Sequence, residues 1–386
     1  MNGRISRLSR PPKHHFFGYY GMPCWNRSQR YHLALETDFH ERNPTALDRA
    51  TVGLIDMESG EFKPYARTRA FNFQQGSMMH WIDAGFGEEF TFNDWTGDKL
   101  VTRALDPGTS RVRTLQGAIA AVSPGQEMAI GLDFRRMFQC RRVVGYAVAP
   151  PATLEAAHPA NDGLYLIDLK TGECQLLVSI AEVLRAKPDE ETRAGPAWLN
   201  HVYFSPDGKR LLFVCRIKGQ SSAIKYTSLW TVGVEGSDLR CLLDYHSGAS
   251  HFAWIDSRRI LCSTRALAGR MQFVTLFDAV GGGEIKPMGK GAMPPNGHAC
   301  YSPDRRWLAV DAELVGPARV QGLMIYRPSD NAKVTLGIFP HADHFRGDIR
   351  CDLHPRWSPD GLLVSFDSVH EGSRQIYVAQ VADIVQ

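Results

Sequence analysis

Short runs of alternating apolar and polar residues recur along the whole chain. Each is followed by a polar turn and a second such run. The clearest copy is HPRWSPDGLLVSFDS (354–368). Residues 201–214 read HVYFSPDGKRLLFV, 298–311 read HACYSPDRRWLAVD and 251–263 read HFAWIDSRRILCS. Looser copies are MMHWIDAGFGEEFTFND (78–94), AIAAVSPGQEMAIGLD (118–133) and MPCWNRSQRYHLALE (22–36). Alternation bounded by Pro, Asp and Gly predicts a strand, a tight turn and a returning strand.

A further hairpin follows several copies: TVGLIDMESGEFKPYA (51–66), GLYLIDLKTGECQLLVS (163–179), SLWTVGVEGSDLRCLL (228–243) and GLMIYRPSDNAKVTLGIF (322–339). Each unit therefore reads as a four-stranded meander. The first turns fall at Asn26, Ile82, Ser123, Ser205, Ile255, Ser302 and Ser358. Most spacings are about 40 to 56 residues, the range of propeller blades. The long gap holds a Pro- and Ala-rich insertion at about 147–161 and a short helix at about 179–186, expected between blades three and four. The seventh unit ends early, after RQIYVAQV (374–381), and GRISRLSR (3–10) is expected to supply its missing strand. The fold class is all-β: a single-domain seven-bladed β-propeller over 1–386, closed by the N-terminal strand, which removes the open sheet edges.

Aligned on the turn, four consecutive units carry histidine at one position: His201, His251, His298 and His354. The other three have Met22, Met78 and Ile119 there. A histidine needed by every blade would recur in most of them. Four neighbours only, at strand starts that surround one mouth of the channel, point to a functional cluster. Asp352 and His354 are two apart on a strand and face the same way. With His298 from the adjacent blade they form a His–Asp–His set with open positions, suited to a catalytic divalent metal, Mn or Zn. Where the segment is still loop, Cys351 replaces Asp352 and favours zinc.

The seven blades and the order of the histidines resemble the oligogalacturonate lyase family of β-propellers and, more loosely, the propeller-type ulvan lyases. The resemblance covers blades four to seven. It implies that His251 is a base, that His298 binds metal, and that D-L-H-P (352–355) stands for a ligand segment H-P-H-P. The family's upstream Gln ligand falls near Ile349 and its catalytic Arg at Ser228, so neither is kept. Lys225, Arg216 or Arg136 are the candidates to replace the Arg.

The implied chemistry is β-elimination on a uronic acid. Metal or Arg neutralises the carboxylate, and neutral imidazole at His251 takes the proton beside it. His201 or a tyrosine protonates the leaving oxygen. Arg216 and Arg136 hold carboxylates or sulfates by paired hydrogen bonds, and Gln75 and Asn93 bind hydroxyls. In the aromatic segment HHFFGYYGMPCWN (14–26), most rings suit the core. Tyr19 or Tyr20 is placed to stack on a sugar, and His15 to reach the pocket. The competing readings are a non-catalytic propeller that binds an acidic glycan or a protein partner, and another enzyme such as an epimerase or hydrolase.

Composition narrows the rest. The 386 residues are 44% hydrophobic and 22% charged, with a net charge of +3, too little for nucleic-acid binding by bulk electrostatics. The eight cysteines include no C-x-x-C pair and read as scattered thiols. No run is long enough for a membrane span, and no apolar run follows the basic N-terminus. The expectation is a soluble, cytoplasmic protein acting on an acidic oligosaccharide, with its oligomeric state open.

Overall fold

The computed structural model describes residues 4–148, 156–189, 195–219, 224–314 and 320–386. Their strands form seven four-stranded antiparallel sheets arranged as a ring, a seven-bladed β-propeller. The repeated turns use the chemistry the sequence announces. Ser205, Ser302 and Ser358 each donate a hydroxyl hydrogen bond to the Asp two residues on, at 2.5–2.6 Å. Each also accepts the backbone N–H five residues on, at 2.9–3.0 Å. One residue before three of the turns a tryptophan stitches its blade to the preceding one. Trp81 donates to the Cys24 carbonyl, Trp254 to Tyr203 and Trp357 to Cys300.

The core lies between blades. Leu212, Val214 and Leu229 of blade four pack on Phe252, Ile260 and Val274 of blade five. Leu323 and Phe339 of blade six pack on Leu353, Phe366 and Tyr377 of blade seven. Each such side chain contributes roughly 1.5–3 kcal/mol by leaving water. The N-terminal strand Ile5–Arg7 closes the ring as expected, pairing Ile5 with Ala379, Ser6 with Val378 and Arg7 with Tyr377.

Two features depart from the sequence reading. The first is the insertion. It joins the second strand of blade three (Met128–Gly131) to the third (Gly163–Asp168), so it lies inside blade three and not after it. It contains a helix, α1 (Phe134–Cys140), that the β-pattern hid. Residues 149–155 of the insertion lie outside the described residues. The expected short helix does follow blade three, as α2 (Ile180–Ala186), with Ser179 and Glu182 forming a capping box.

The second is the inner strand of blade one, which is split. His14–Phe16 pairs with the second strand, and pairing resumes only at the Trp25–His32 bridge. Between them the chain hooks into the channel. Phe17 and Gly18 donate backbone N–H groups to the Asp367 carboxylate at 3.2 and 2.9 Å. Gly18 has φ 106°, and a Cβ there would collide with the backbone of Gly76. Only glycine allows this close crossing. The hook carries Tyr19 and Tyr20 to the axis.

Asp367 also takes the Arg356 guanidinium at 2.8 Å, and both side chains are fully buried. Removing one partner of a buried pair strands the other charge. Asp367→Ala is expected to lower the free energy of unfolding by about 3–5 kcal/mol in denaturant titration. A loss below about 1 kcal/mol would mean that the pair does not hold the hook.

Candidate functional site

Side chains of a strand point to the two faces of its sheet, here toward neighbouring blades. At three of the histidines the backbone leaves the strand, which turns the side chain toward the axis. His201, His251 and His354 have φ of 52°, 39° and 48°, left-handed values uncommon for residues with a Cβ. The pairing slips at the first two of them, between Asn200 and Tyr203 and between Ser250 and Phe252. Such bulges re-aim side chains and cluster at functional sites.

Three of the four histidines converge. Ring centroids of His251 and His298, and of His298 and His354, are 4.2 Å apart. The Nε2 atoms of His298 and His354 are 3.3 Å apart. Asp352 completes a set with them, all three ligand atoms lying within 4.8 Å of one another. Among the described residues this is the one such group.

Asp311, in the middle of the second strand of blade six (Leu308–Leu314), organises the set. Its carboxylate accepts from His298 Nδ1 at 2.9 and 3.1 Å and from the backbone N–H of His298 and His354 at 2.8 Å each. Nδ1 thus carries the proton and Nε2 its lone pair. Burial lowers the pKa of His298, but Asp311 outweighs it and the net direction is upward. Burial, then the neighbouring His298, lowers His354 well below the usual value. The Asp352 carboxyl is held far down despite burial, by Arg350, whose Nε lies 2.8 Å away.

The residues fit a divalent cation. Two nitrogens bound to one cation at about 2.1 Å in tetrahedral geometry stand about 3.4 Å apart, close to the observed 3.3 Å. Two imidazoles and one carboxylate leave coordination positions open, and no thiolate takes part. Cys351 is fully buried with its sulfur packed toward Phe345 and Val369, and burial pushes its thiol up to about 12. The expectation that Cys351 is a ligand is therefore corrected. Adjacent residues of extended chain face opposite ways, and Asp352 is the one that faces the histidines.

Tyr19 and Tyr20 plug the channel beside this set. The Tyr20 ring lies 4.8 Å from His298 and 5.9 Å from His354. Tyr19 stacks parallel to His201 and its hydroxyl makes a short hydrogen bond with His201 Nδ1. On one side of the plug is a cavity of about 510 Å³, lined by Tyr19, His201, His251, His298 and His354 among others. Its walls include Arg141, Arg216, Lys225, Arg265 and Arg350 and, among the described residues, no Asp or Glu. A second cavity, of about 430 Å³, opens past Tyr20, toward the Ser302 and Ser358 turns.

The cavity contains several predicted residues besides the histidines. Gln75 is buried there with Oε1 free to accept, and its Nε2 lies 3.4 Å from His201. Arg216 is 6% exposed, and burial, then the like charge of Arg141, pull its pKa down to about 9, which leaves it charged at neutral pH. His251 sets its Nδ1 2.7 Å from Asn296 Oδ1, so the N–H donates there and Nε2 keeps its lone pair. Burial, then His298, lowers its pKa to about 3, so it is neutral at pH 7.

Four expectations for substrate contact are corrected. Asn93 is fully buried, donating to the Ile119 carbonyl and Tyr146 and accepting from Thr102 and the Ile119 N–H. Arg136 is 1% exposed because Asp133 caps α1 and the helix turns Arg136 toward blade four. There it donates to the carbonyls of Ala197, Ala156 and Ala157. His15 is buried between Glu36, Gln375 and Phe62, away from the cavity. Tyr20 lines the second cavity and backs the histidines instead of facing the first. Ser228 is buried, accepting from Trp230 Nε1 and donating to the Cys215 carbonyl.

Sequence reasoning missed Asp311, Asn296 and Arg141. Asp311 had a signal: it stands nine residues after its turn serine, as Asp367 does. Asn296, two residues before His298, had only a weak one. Arg141 had none, because α1 carries it to the cavity.

The chain is similar in structure to an oligogalacturonate lyase from Vibrio parahaemolyticus, with a TM-score of 0.66 and 16% identity over 98% of this chain and 93% of that one. It is similar to an oligogalacturonate lyase in complex with manganese, with a TM-score of 0.65 and 16% identity over 97% and 92%. A puromycin-hydrolysing peptidase of Mycobacterium tuberculosis gives 0.54 and 14% over 91% of this chain and 50% of that one. These likenesses show the propeller fold, which carries unrelated chemistries. No protein-family model and no curated protein matches the sequence. Among the described residues no helix is long and apolar enough to cross a membrane.

Outer-shell carboxylates that orient a ligating imidazole typically contribute 10–100-fold to cation affinity. Asp311→Asn is expected to weaken Mn²⁺ or Zn²⁺ binding by about that factor in calorimetric titration, with the circular dichroism spectrum unchanged. Unchanged affinity would remove Asp311 from the site.

Proposed function

We propose that this chain is a cation-assisted lyase that cleaves uronic-acid-containing oligosaccharides by β-elimination. One observation carries the reading. A neutral imidazole with a free Nε2, His251, stands beside a His–Asp–His set in a cavity whose described lining holds five cationic side chains and no carboxylate. Such a basin attracts an acidic ligand and offers it a base.

When bound by His298, Asp352 and His354, a divalent cation supplies positive charge that neutralises a uronate carboxylate and acidifies the proton beside it. His251 Nε2 takes that proton, while Asn296 holds the ring and its tautomer through Nδ1. The electron pair released from the C–H bond forms the new carbon–carbon double bond, and the bond to the glycosidic oxygen breaks. Tyr19, hydrogen-bonded to His201, is the group placed to give the leaving oxygen its proton. Burial raises the Tyr19 pKa well above the usual value, so it keeps that proton at neutral pH. Gln75 Oε1 accepts a sugar hydroxyl. Arg216 replaces the family arginine whose place Ser228 occupies.

A second reading, a propeller that binds an acidic glycan without cleaving it, is favoured by that one observation at Ser228. Turnover separates the two. With Mn²⁺ and an oligogalacturonate, a conjugated double bond should appear in the ultraviolet spectrum and the product masses should sum to that of the substrate. His251→Ala should lower kcat by about 10²–10⁴. Products heavier by one water would indicate a hydrolase. Binding without turnover, unaffected by His251→Ala, would favour the binding module.

A further inference from the structure

The cavity at the far mouth of the channel, past Tyr20, differs in chemistry from the one that holds the histidines. Its volume is about 430 Å³, and its walls include Tyr203, Phe252, Trp254, Tyr301 and Trp357. The polar groups beside several of these rings are already engaged. Trp254 and Trp357 donate their indole N–H groups to the Tyr203 and Cys300 carbonyls. Ser302 and Ser358 donate their hydroxyls to Asp304 and Asp360 within their own turns. What this mouth offers a ligand is ring surface, with little to satisfy the hydroxyls of a sugar.

Arg305 stands apart from the rest of that lining. Among the described residues it is the one charged side chain there, and it also borders a smaller cavity of about 270 Å³. It is exposed at the rim, three residues after the turn serine Ser302, with φ 62°. The same turn position is Gly208 in blade four and Gly361 in blade seven, with φ 71° and 73°. Left-handed backbone is easy for glycine and strained for arginine, so blade six keeps this side chain against a local preference. Its Nη1 donates to the Trp254 carbonyl of blade five at 2.9 Å. A bond to the preceding blade does not require arginine. Blade three has Gln126 at this position, with φ 57°, and Gln126 accepts the Asp83 N–H of blade two at 2.7 Å. Arg305 makes no further hydrogen bond and no ion pair with a described residue. Asp256 of blade five is bound by Arg259 instead, at 2.7 Å. Most of the guanidinium fork is therefore open beside an aromatic cavity.

We propose that the far mouth is a second ligand site, separate from the histidine cavity, for a small monocarboxylic acid with an apolar, ring-bearing body. The ring packs among Tyr203, Trp254, Tyr301 and Trp357, and the carboxylate takes the open N–H groups of Arg305. At about 430 Å³ the cavity falls within the range of roughly 300–1,000 Å³ typical of small-molecule sites. A single cation matches a single negative charge. The tyrosine plug separates this site from the His298–Asp352–His354 set, so the proposal rests on neither the cation nor the lyase reading.

The test is calorimetric titration with 4-phenylbutyrate, its neutral amide and the cationic 4-phenylbutylamine. The acid is expected to bind saturably, at one per chain, and more tightly than the amide or the amine. Arg305→Gln removes the charge while keeping a residue that blade three accepts at this turn position. It should weaken the acid by about fivefold to thirtyfold, an effect reduced from that of a buried charge by exposure at the rim, and leave the amide within about twofold. Arg305→Lys should recover most of the loss. No saturable binding of the acid, or equal affinity for acid and amide, would overturn the proposal. So would an acid affinity unchanged by Arg305→Gln, which would place the anion among the cations of the first cavity. Binding of a tetrapeptide ending in phenylalanine, where the free acid does not bind, would also overturn it, and the mouth would then read a peptide terminus.

Discussion

A propeller's inner strand hands its side chains to the neighbouring blades, so nothing on it faces the axis by default. That constraint governs the site. His201, His251 and His354 escape it through left-handed backbone at the start of their strands, a conformation a β-carbon makes costly. Blade two shows the same geometry at Met78, φ 47°, with an apolar residue in place of histidine. The kink recurs in four of the seven blades, and residue identity decides what it presents. In blades four, five and seven it presents imidazole, while His298 of blade six joins the set without it, and Asp311 locks His298 and His354 in place through three of its contacts.

The channel those imidazoles face is closed from below by the chain's own N-terminal region. Asp367, at the end of a second strand in blade seven, binds Arg356 and the Phe17 and Gly18 amides at once. One buried carboxylate therefore connects ring closure to the position of Tyr19 and Tyr20. The tyrosines divide the channel into two cavities; among the described residues the one with the histidines is lined by four arginines and a lysine, the other by Arg305. Its depth is finite because of the plug, which suits a short ligand more than a threaded polymer.

The periodic parts of this structure were legible in the sequence. Turn serines, blade count, the closing strand and the short helix after blade three all rest on local chemistry that repeats or has a known spacing. The histidine cluster was legible for the same reason, since one register position in a ring maps to one place on the axis. Residues that depend on a break in the pattern were not. Asn93 and Arg216 both stand two residues before the end of a second strand, yet Asn93 turns between blades two and three and Arg216 turns into the cavity. Asp133 looked like a strand end and is a helix cap, which redirects Arg136 and delivers Arg141. The split inner strand of blade one hid its start at His14 behind the better match at Met22.

Convergence of His298, His354 and Asp352 on one cation is the claim on which the rest of the chemistry stands. Metal content of the purified protein, measured beside that of His298→Ala, tests it most directly. Near one equivalent of Mn or Zn in the first and almost none in the second is the expected result. No metal in either protein, even after Mn²⁺ and Zn²⁺ are added back and the excess removed, would contradict it.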